Sequence, residues 1–149
     1  MQIRANMKDK IKAISMWGSL LSIGLLVGCA SQSATRSSLG VAHLKSNAHT
    51  YQGKSVALLA DMNEFISDDL AKVDDDGLGG AELYVVRNEE LSANEFRTLA
   101  RAGRVLLEGD MGYFVKSDSG NRVELDEKME SALEGQPVFY ARKITVLTK

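Results

Sequence analysis

Apolar side chains recur with a period of two along several stretches of the chain, and each such stretch predicts a strand. Val56, Leu58, Ala60 and Met62 alternate with Ala57, Leu59, Asp61 and Asn63, which sorts the two sets onto opposite faces of an extended segment. Ala81 to Arg87 reads AELYVVR, and its β-branched and aromatic content suits a pleated, half-buried surface. From Val105 through Leu107, Gly109, Met111 and Tyr113 to Val115 the alternation runs for eleven residues. That is too long for a flat strand, so Gly109 or Gly112 is expected to mark a bulge or bend. Val138 to Leu147 predicts a closing strand, with weaker patterns between Glu64 and Val73 and from Arg122 to Leu125.

Helical signals are fewer and local. Ser92 and Glu95 form an S-x-x-E capping box, with Leu91 and Phe96 at the N′ and N4 positions of a hydrophobic staple. The helix that starts there carries Phe96, Leu99 and Ala100 on one face, and Gly103 stands where a C-terminal cap is expected. A second, brief helix is expected between Asp126 and Leu133, stopped by Gly135 and Pro137. Asp74-Asp75-Asp76-Gly77 with Gly79-Gly80, and Asp118-Ser119-Gly120-Asn121, are turn-forming clusters. The expected class is therefore α+β and β-rich. Residues 51–149 resemble an OB-fold in length and element order, a small five-strand barrel with a helix between strands 3 and 4. The competing layout is an open antiparallel sheet with one packed helix.

Upstream of this domain the pattern changes to a block of 15 uncharged residues, Ala13 to Val27, preceded by Arg4, Lys8, Lys10 and Lys12. As a helix the block would span only about 22 Å, against a hydrocarbon core of ~30 Å, so it suits the apolar region of a signal peptide. Met1 and Met7 are both compatible starts. The block ends in Leu26-Val27-Gly28-Cys29 followed by Ala30 and Ser31, which resembles the lipobox of bacterial lipoproteins. The resemblance implies diacylglyceryl transfer to the Cys29 thiol, cleavage between Gly28 and Cys29, and acylation of the new amine. Two or three acyl chains on one residue make a stable anchor, because each buried CH₂ contributes about 0.8 kcal/mol. In lipoproteins of double-membraned bacteria an Asp after the cysteine favours inner-membrane retention, and with Ala30 there the resemblance implies the outer membrane, with the domain facing the periplasm. Residues 1–28 are thus read as signal peptide and 29–50 as a flexible tether, since Ser31 to Thr50 is rich in Ser and Ala and lacks a sustained period.

Composition narrows the chemistry. The 149 residues are 44% hydrophobic and 26% charged, the make-up of an ordinary globular protein. Without residues 1–28 the chain keeps 14 basic and 19 acidic side chains, a net charge of −5. Such a body offers no electrostatic footprint for nucleic acid. Gly53-Lys54-Ser55 ends like a P-loop, but Ala48 stands where the first glycine is required. Aligning Gly77 with the sixth position of an EF-hand puts Lys72 first and Leu83 twelfth, so that motif fails as well. A weak cation site built from Asp68, Asp69, Asp74, Asp75 and Asp76 stays open beside the plainer reading of a solvated acidic loop. His43 and His49 lack metal-ligand spacing, and no cofactor is implied. With the lone thiol acylated, no catalytic residue is identified, and carboxylate-based hydrolysis of cell-wall material is the weakest of the function classes.

The adjacent rings of Tyr113-Phe114 and Phe139-Tyr140 must point to opposite faces of their strands. Tyr84, Phe114 and Tyr140 could then form a ligand surface of the kind OB-folds use, unless a helix covers both faces. The expected function is an outer-membrane-anchored binding module in the cell envelope, for a glycan or an envelope protein. The alternative is a structural or assembly partner of another envelope protein.

Overall fold

The computed structural model describes residues 37–75, 80–116 and 125–149. Five strands, β1 (Ser55–Ser67), β2 (Leu70–Asp74), β3 (Leu83–Arg87), β4 (Arg104–Tyr113) and β5 (Pro137–Val146), close into a barrel in the order β1-β2-β3-β5-β4. Neighbours are antiparallel except for β3 and β5, which run parallel. The closed barrel, not the open sheet, is the layout adopted.

β1 is long because it serves two partners. Its first half pairs with β4 and its second half with β2, with register shifts between Met62 and Glu64 and between Phe65 and Ser67. Such irregularities sharpen the twist and let one strand turn the corner of a small barrel. The single weak strand expected over Glu64 to Val73 is therefore corrected: its first residues finish β1, Asp68 and Asp69 form the turn, and β2 follows. The bend expected in β4 is present at Gly109, where the register to β5 shifts and Arg142 is the extra residue. A Cβ on Gly109 would lie 2.1 Å from the Tyr140 carbonyl oxygen and 2.9 Å from a Phe139 ring carbon. Only glycine admits this approach.

The barrel interior is apolar, with Leu58, Val73, Val85, Val105, Leu107 and Phe139 all buried. One end is closed by α3 (Ala93–Phe96), which tightens into a 3-10 turn over Arg97–Arg101. The capping box is formed: Glu95 N–H donates to Ser92 Oγ at 3.2 Å, and Ser92 N–H donates to Glu95 Oε2 at 3.0 Å. Leu91 and Phe96 enter the core together. Gly103 is not the left-handed cap that its position suggested, because Ala102 already ends the turn in extended conformation. Gly103 instead lets the chain pass close to the last residues: its N–H donates to the Thr148 carbonyl at 2.8 Å, and a Cβ there would meet Thr148 Oγ1 at 3.1 Å.

Residues 41–50 are not a tether. They form α1 (Val41–Ser46) and the start of α2 (Ala48–Tyr51), and Val41, Leu44 and Ala48 are buried in the main core. Asp75 holds the entry of α1, accepting from Val41 N–H at 2.5 Å and Ala42 N–H at 2.7 Å. Leu39 also bridges to β1. The folded body thus begins upstream of Tyr51. Helices this short have no stability of their own and exist by tertiary packing, which is why no periodic signal announced them.

A second, smaller cluster lies on the outside of the barrel. After β4 the chain returns through α4 (Glu127–Leu133), capped by Asp126, whose Oδ1 accepts from Met129 N–H at 2.8 Å. Gly135, at φ 71°, ends it and donates its N–H to the Phe114 carbonyl at 2.9 Å. Phe114 and Leu133 then cover Leu70, Val86 and Val138, with Tyr84, Met129 and Tyr140 around them. Asp76, the expected turn at Asp118 to Asn121, most of the expected strand from Arg122 to Leu125, and the lipobox-like segment with Gly28 and Cys29 lie outside the described residues. No helix among the described residues is long and apolar enough to cross a membrane.

Candidate functional site

The three rings expected to form a ligand surface do come together, but as packing. Phe114 is 2% exposed, so the expectation of a free ring there is corrected: α4 folds back over it, and burial of the ring is what holds α4 in place. Tyr84 and Tyr140 are half-buried against the same cluster. The Tyr84 ring faces Lys72, whose Nζ is 5.3 Å from its centroid. Burial disfavours the charged form of Lys72, but Tyr84, Glu82 and Glu64 outweigh it and raise its pKa. OB-folds present their ligands to the face of strands 2 and 3. In this chain that face carries Leu70 and Val86 and is occupied by the protein's own α4 segment.

The carboxylates of the expected cation site are dispersed. Asp68 takes a two-point hydrogen bond from the Arg97 guanidinium, which holds its pKa below the usual carboxylate range. Asp69 accepts from Arg87 Nε at 2.5 Å. Asp74 is buried at the end of β2 and Asp75 caps α1. Each is engaged in a different structural task, and no group of three or more ligating side chains occurs among the described residues. The expectation of a shared site is corrected on that ground. His43 meets the Tyr51 hydroxyl at 3.0 Å, while His49 meets Thr50 Oγ1 at 3.2 Å. The other carboxylate with a displaced pKa, Glu95, is also lowered, by its hydrogen bonds from Ser92. Both are stabilised as anions, the opposite of what a general acid requires.

A groove of about 320 Å³ lies beside β4 and β5, lined by Gln52, Asn88, Asp110, Gly112, Tyr113 and Tyr140 among others. Its placement follows from local structure. Gly53, at φ 71°, turns the chain out of α2 and donates its N–H to the Met111 carbonyl at 2.8 Å, which sets Gln52 beside β4. Asn88 follows β3 directly, and its N–H donates to the Ala141 carbonyl at 2.9 Å. Gly112 keeps the trough clear, since a Cβ there would lie 3.1 Å from the Tyr140 ring. Asp110 is neutralised by Arg142, whose Nη2 reaches its carboxylate at 3.1 Å and Ser55 Oγ at 2.5 Å. Among the described residues the Gln52 amide, the Asn88 Nδ2 and the Tyr113 hydroxyl have no hydrogen-bond partner. Of these only Tyr113 belongs to a pair singled out in the sequence; Gln52 and Asn88 carry no local signal, because they converge through the barrel's closure.

A larger hollow of about 610 Å³ lies between Phe65, the 3-10 turn and Val146. Its polar members Asp68, Arg97 and Asn94 bond to one another.

No protein-family model matches the chain, and no curated protein matches it either. Solved structures are similar to it. An aspartyl-tRNA synthetase chain from Leishmania major aligns over 80% of this chain at 13% identity, with a TM-score of 0.52. This chain spans only 22% of that synthetase. An OBody solved bound to hen egg-white lysozyme aligns over 75% of this chain and 95% of its own, at 15% identity and a TM-score of 0.49. The strand order β1-β2-β3-β5-β4, with α3 between β3 and β4, decides the fold. It is an OB-like barrel. Likeness at this level of identity concerns the fold alone.

Proposed function

We propose that this chain is a lipoprotein, anchored in the outer membrane by acyl chains on Cys29, whose OB-like barrel faces the periplasm as a binding module of the cell envelope. The anchor rests on the resemblance of Leu26-Val27-Gly28-Cys29 to a lipobox, behind a basic segment and an uncharged block. The binding role rests on one observation, the groove where Gln52, Asn88 and Tyr113 present polar groups that have no hydrogen-bond partner among the described residues, beside the Tyr140 ring. A surface made only for solubility has no need to converge such groups around aromatic rings, whereas ligand sites combine apolar walls with a few placed polar groups.

The test has two parts. Intact-mass measurement of protein extracted from membranes should show loss of residues 1–28 and the added mass of acyl chains, and Cys29→Ser should lose both. Wild-type protein should also co-sediment with insoluble envelope material better than a Gln52→Ala/Tyr113→Phe variant. Wild type recovered in solution with a free Cys29 thiol overturns the anchor. Equal co-sedimentation overturns the groove as the binding site.

A further inference from the structure

We infer that the outer side of α1 and α2, with Lys45, Tyr51 and Lys54, rests on anionic phospholipid headgroups of the bilayer that holds Cys29; the inference builds on the proposed anchor and names the surface it presents to the membrane. Charge is divided unevenly along the chain. Residues 30–60 contain Arg36, Lys45 and Lys54 with His43 and His49, and no Asp or Glu, whereas residues 61–149 hold 11 basic and 19 acidic side chains. An anionic surface attracts the first part and repels the second, so its field orients the barrel. Asp75 and Asp110 border the basic segment, but both are engaged. Asp75 accepts from the Val41 and Ala42 N–H groups at the entry of α1, and Asp110, opposite Ser55, meets Arg142.

The fold turns these cations outward together. Val41, Leu44 and Ala48 are buried in the core, which leaves Ala42, Lys45, Ser46, His49 and Thr50 exposed. After Gly53 the chain brings Lys54 back beside Tyr51: the Lys54 N–H donates to the Tyr51 carbonyl at 2.9 Å, and its Nζ lies 6.0 Å from the ring centroid. Tyr51 packs against the main core and meets His43 Nε2 at its hydroxyl, 3.0 Å away. A half-buried tyrosine flanked by lysine suits the headgroup level of a bilayer, where tyrosine is enriched and lysine extends its charge to the polar layer. Chain length keeps this side near the membrane. The ten residues from Ala30 to Leu39 reach at most about 33–36 Å, and Leu39 is fastened to β1 by its hydrogen bonds with Ala57 and Leu59. α1 therefore starts close to the lipid anchor whatever course the chain takes, and contact with the bilayer is an intramolecular event at high effective concentration. Two lysines within a Debye length of the surface then suffice, although the same pair would hold an unanchored protein only weakly.

The experiment places the processed protein, extracted from membranes, in nanodiscs of phosphatidylcholine alone or with one third phosphatidylglycerol. A lipid carrying gadolinium on its headgroup broadens the amide NMR signals of whatever lies against the surface. With phosphatidylglycerol present, amides of residues 42–54 should broaden more than those of the Asp68 turn and α3, and the contrast should shrink in phosphatidylcholine alone or at high salt. Lys45→Gln and Lys54→Gln should each lower the ratio of lipid-contacting to free orientations about fivefold, the factor of one lysine near a charged membrane surface. Their melting temperatures should match wild type, since both positions are exposed. The inference is overturned by broadening that is even over the barrel, greatest at another face, indifferent to phosphatidylglycerol, or unchanged in both variants. Shifts in residues 42–54 that follow protein concentration without lipid broadening assign the surface to a second copy of the chain and overturn it as well. Intact mass and retention on salt-washed vesicles test the anchor separately: protein without acyl chains that washes off removes the anchor, and the inference with it.

Discussion

Replacing Phe114 by alanine tests whether the segment after β4 is a fixed cover over the barrel or a loose loop. The ring is 2% exposed and sits with Leu133 over Leu70, Val86 and Val138. A phenylalanine buries about 150–250 Å², which at about 25 cal/mol per Å² is worth about 4–6 kcal/mol of transfer free energy. Measured Phe→Ala losses in cores are about 3–5 kcal/mol. The lower end is expected here, because α4 has only seven residues and can settle partly into the space. A loss of about 3 kcal/mol in a domain near 100 residues lowers the melting temperature by roughly 12–24 °C, at 4–8 °C per kcal/mol. The assay is thermal unfolding followed by circular dichroism on the full-length protein in micelles. Phe114→Leu should cost less than about 1.5 kcal/mol, since it largely keeps the volume. An alanine variant that melts within about 4 °C of wild type would show that the ring is not buried in solution, and would return the face of β2 and β3 to the candidate ligand surfaces.

Leu44→Ala should cost about 2–5 kcal/mol by the same measurement, because Leu44 is fully buried in the main core; a tether residue would cost nothing. Acid should weaken the fold through Glu95 and Asp68. Both have folded-state pKa values below their ordinary 4.5 and 3.8, so the unfolded chain binds protons first and their contribution is lost as pH falls. Melting temperature should therefore hold down to about pH 5 and decline below it. The decline should be shallower in a Glu95→Gln/Asp68→Asn variant, and superimposable profiles for the two proteins would refute the assignment.

Much of the barrel was legible because its causes are local. Period-two alternation placed β1 and β4, β-branched and aromatic content placed β3, a closing strand was expected where β5 lies, and the capping box at Ser92 and Glu95 placed the start of α3. The bend in β4 was expected at one of the two glycines that interrupt the alternation, Gly109 or Gly112, and the structure puts it at Gly109. The order of these elements, with a helix after the third strand, was enough to expect an OB-like barrel. The resemblance of Leu26-Val27-Gly28-Cys29 to a lipobox, on which the proposed anchor rests, likewise lies in contiguous residues.

Tertiary structure decided the rest, wherever an outcome depended on what meets what across the barrel. Val41, Leu44 and Ala48 are too few and too widely spaced to declare a helix, and they became one only because the barrel offered a surface to bury them. Phe114 alternates like a solvent-facing residue, and only the return of α4 buried it. Asp68, Asp69, Asp74 and Asp75 are neighbours in sequence, yet a hairpin turn and a strand end point them at Arg97, Arg87, the interior and α1. Gln52, Asn88 and Tyr113 are far apart in the chain and share a groove only after β3, β4 and β5 have closed. Hydrophobic periodicity and capping act within a few residues, so sequence carries them directly. Burial, ion pairing and the convergence of polar groups act through space, so they exist only once the fold has brought distant residues together.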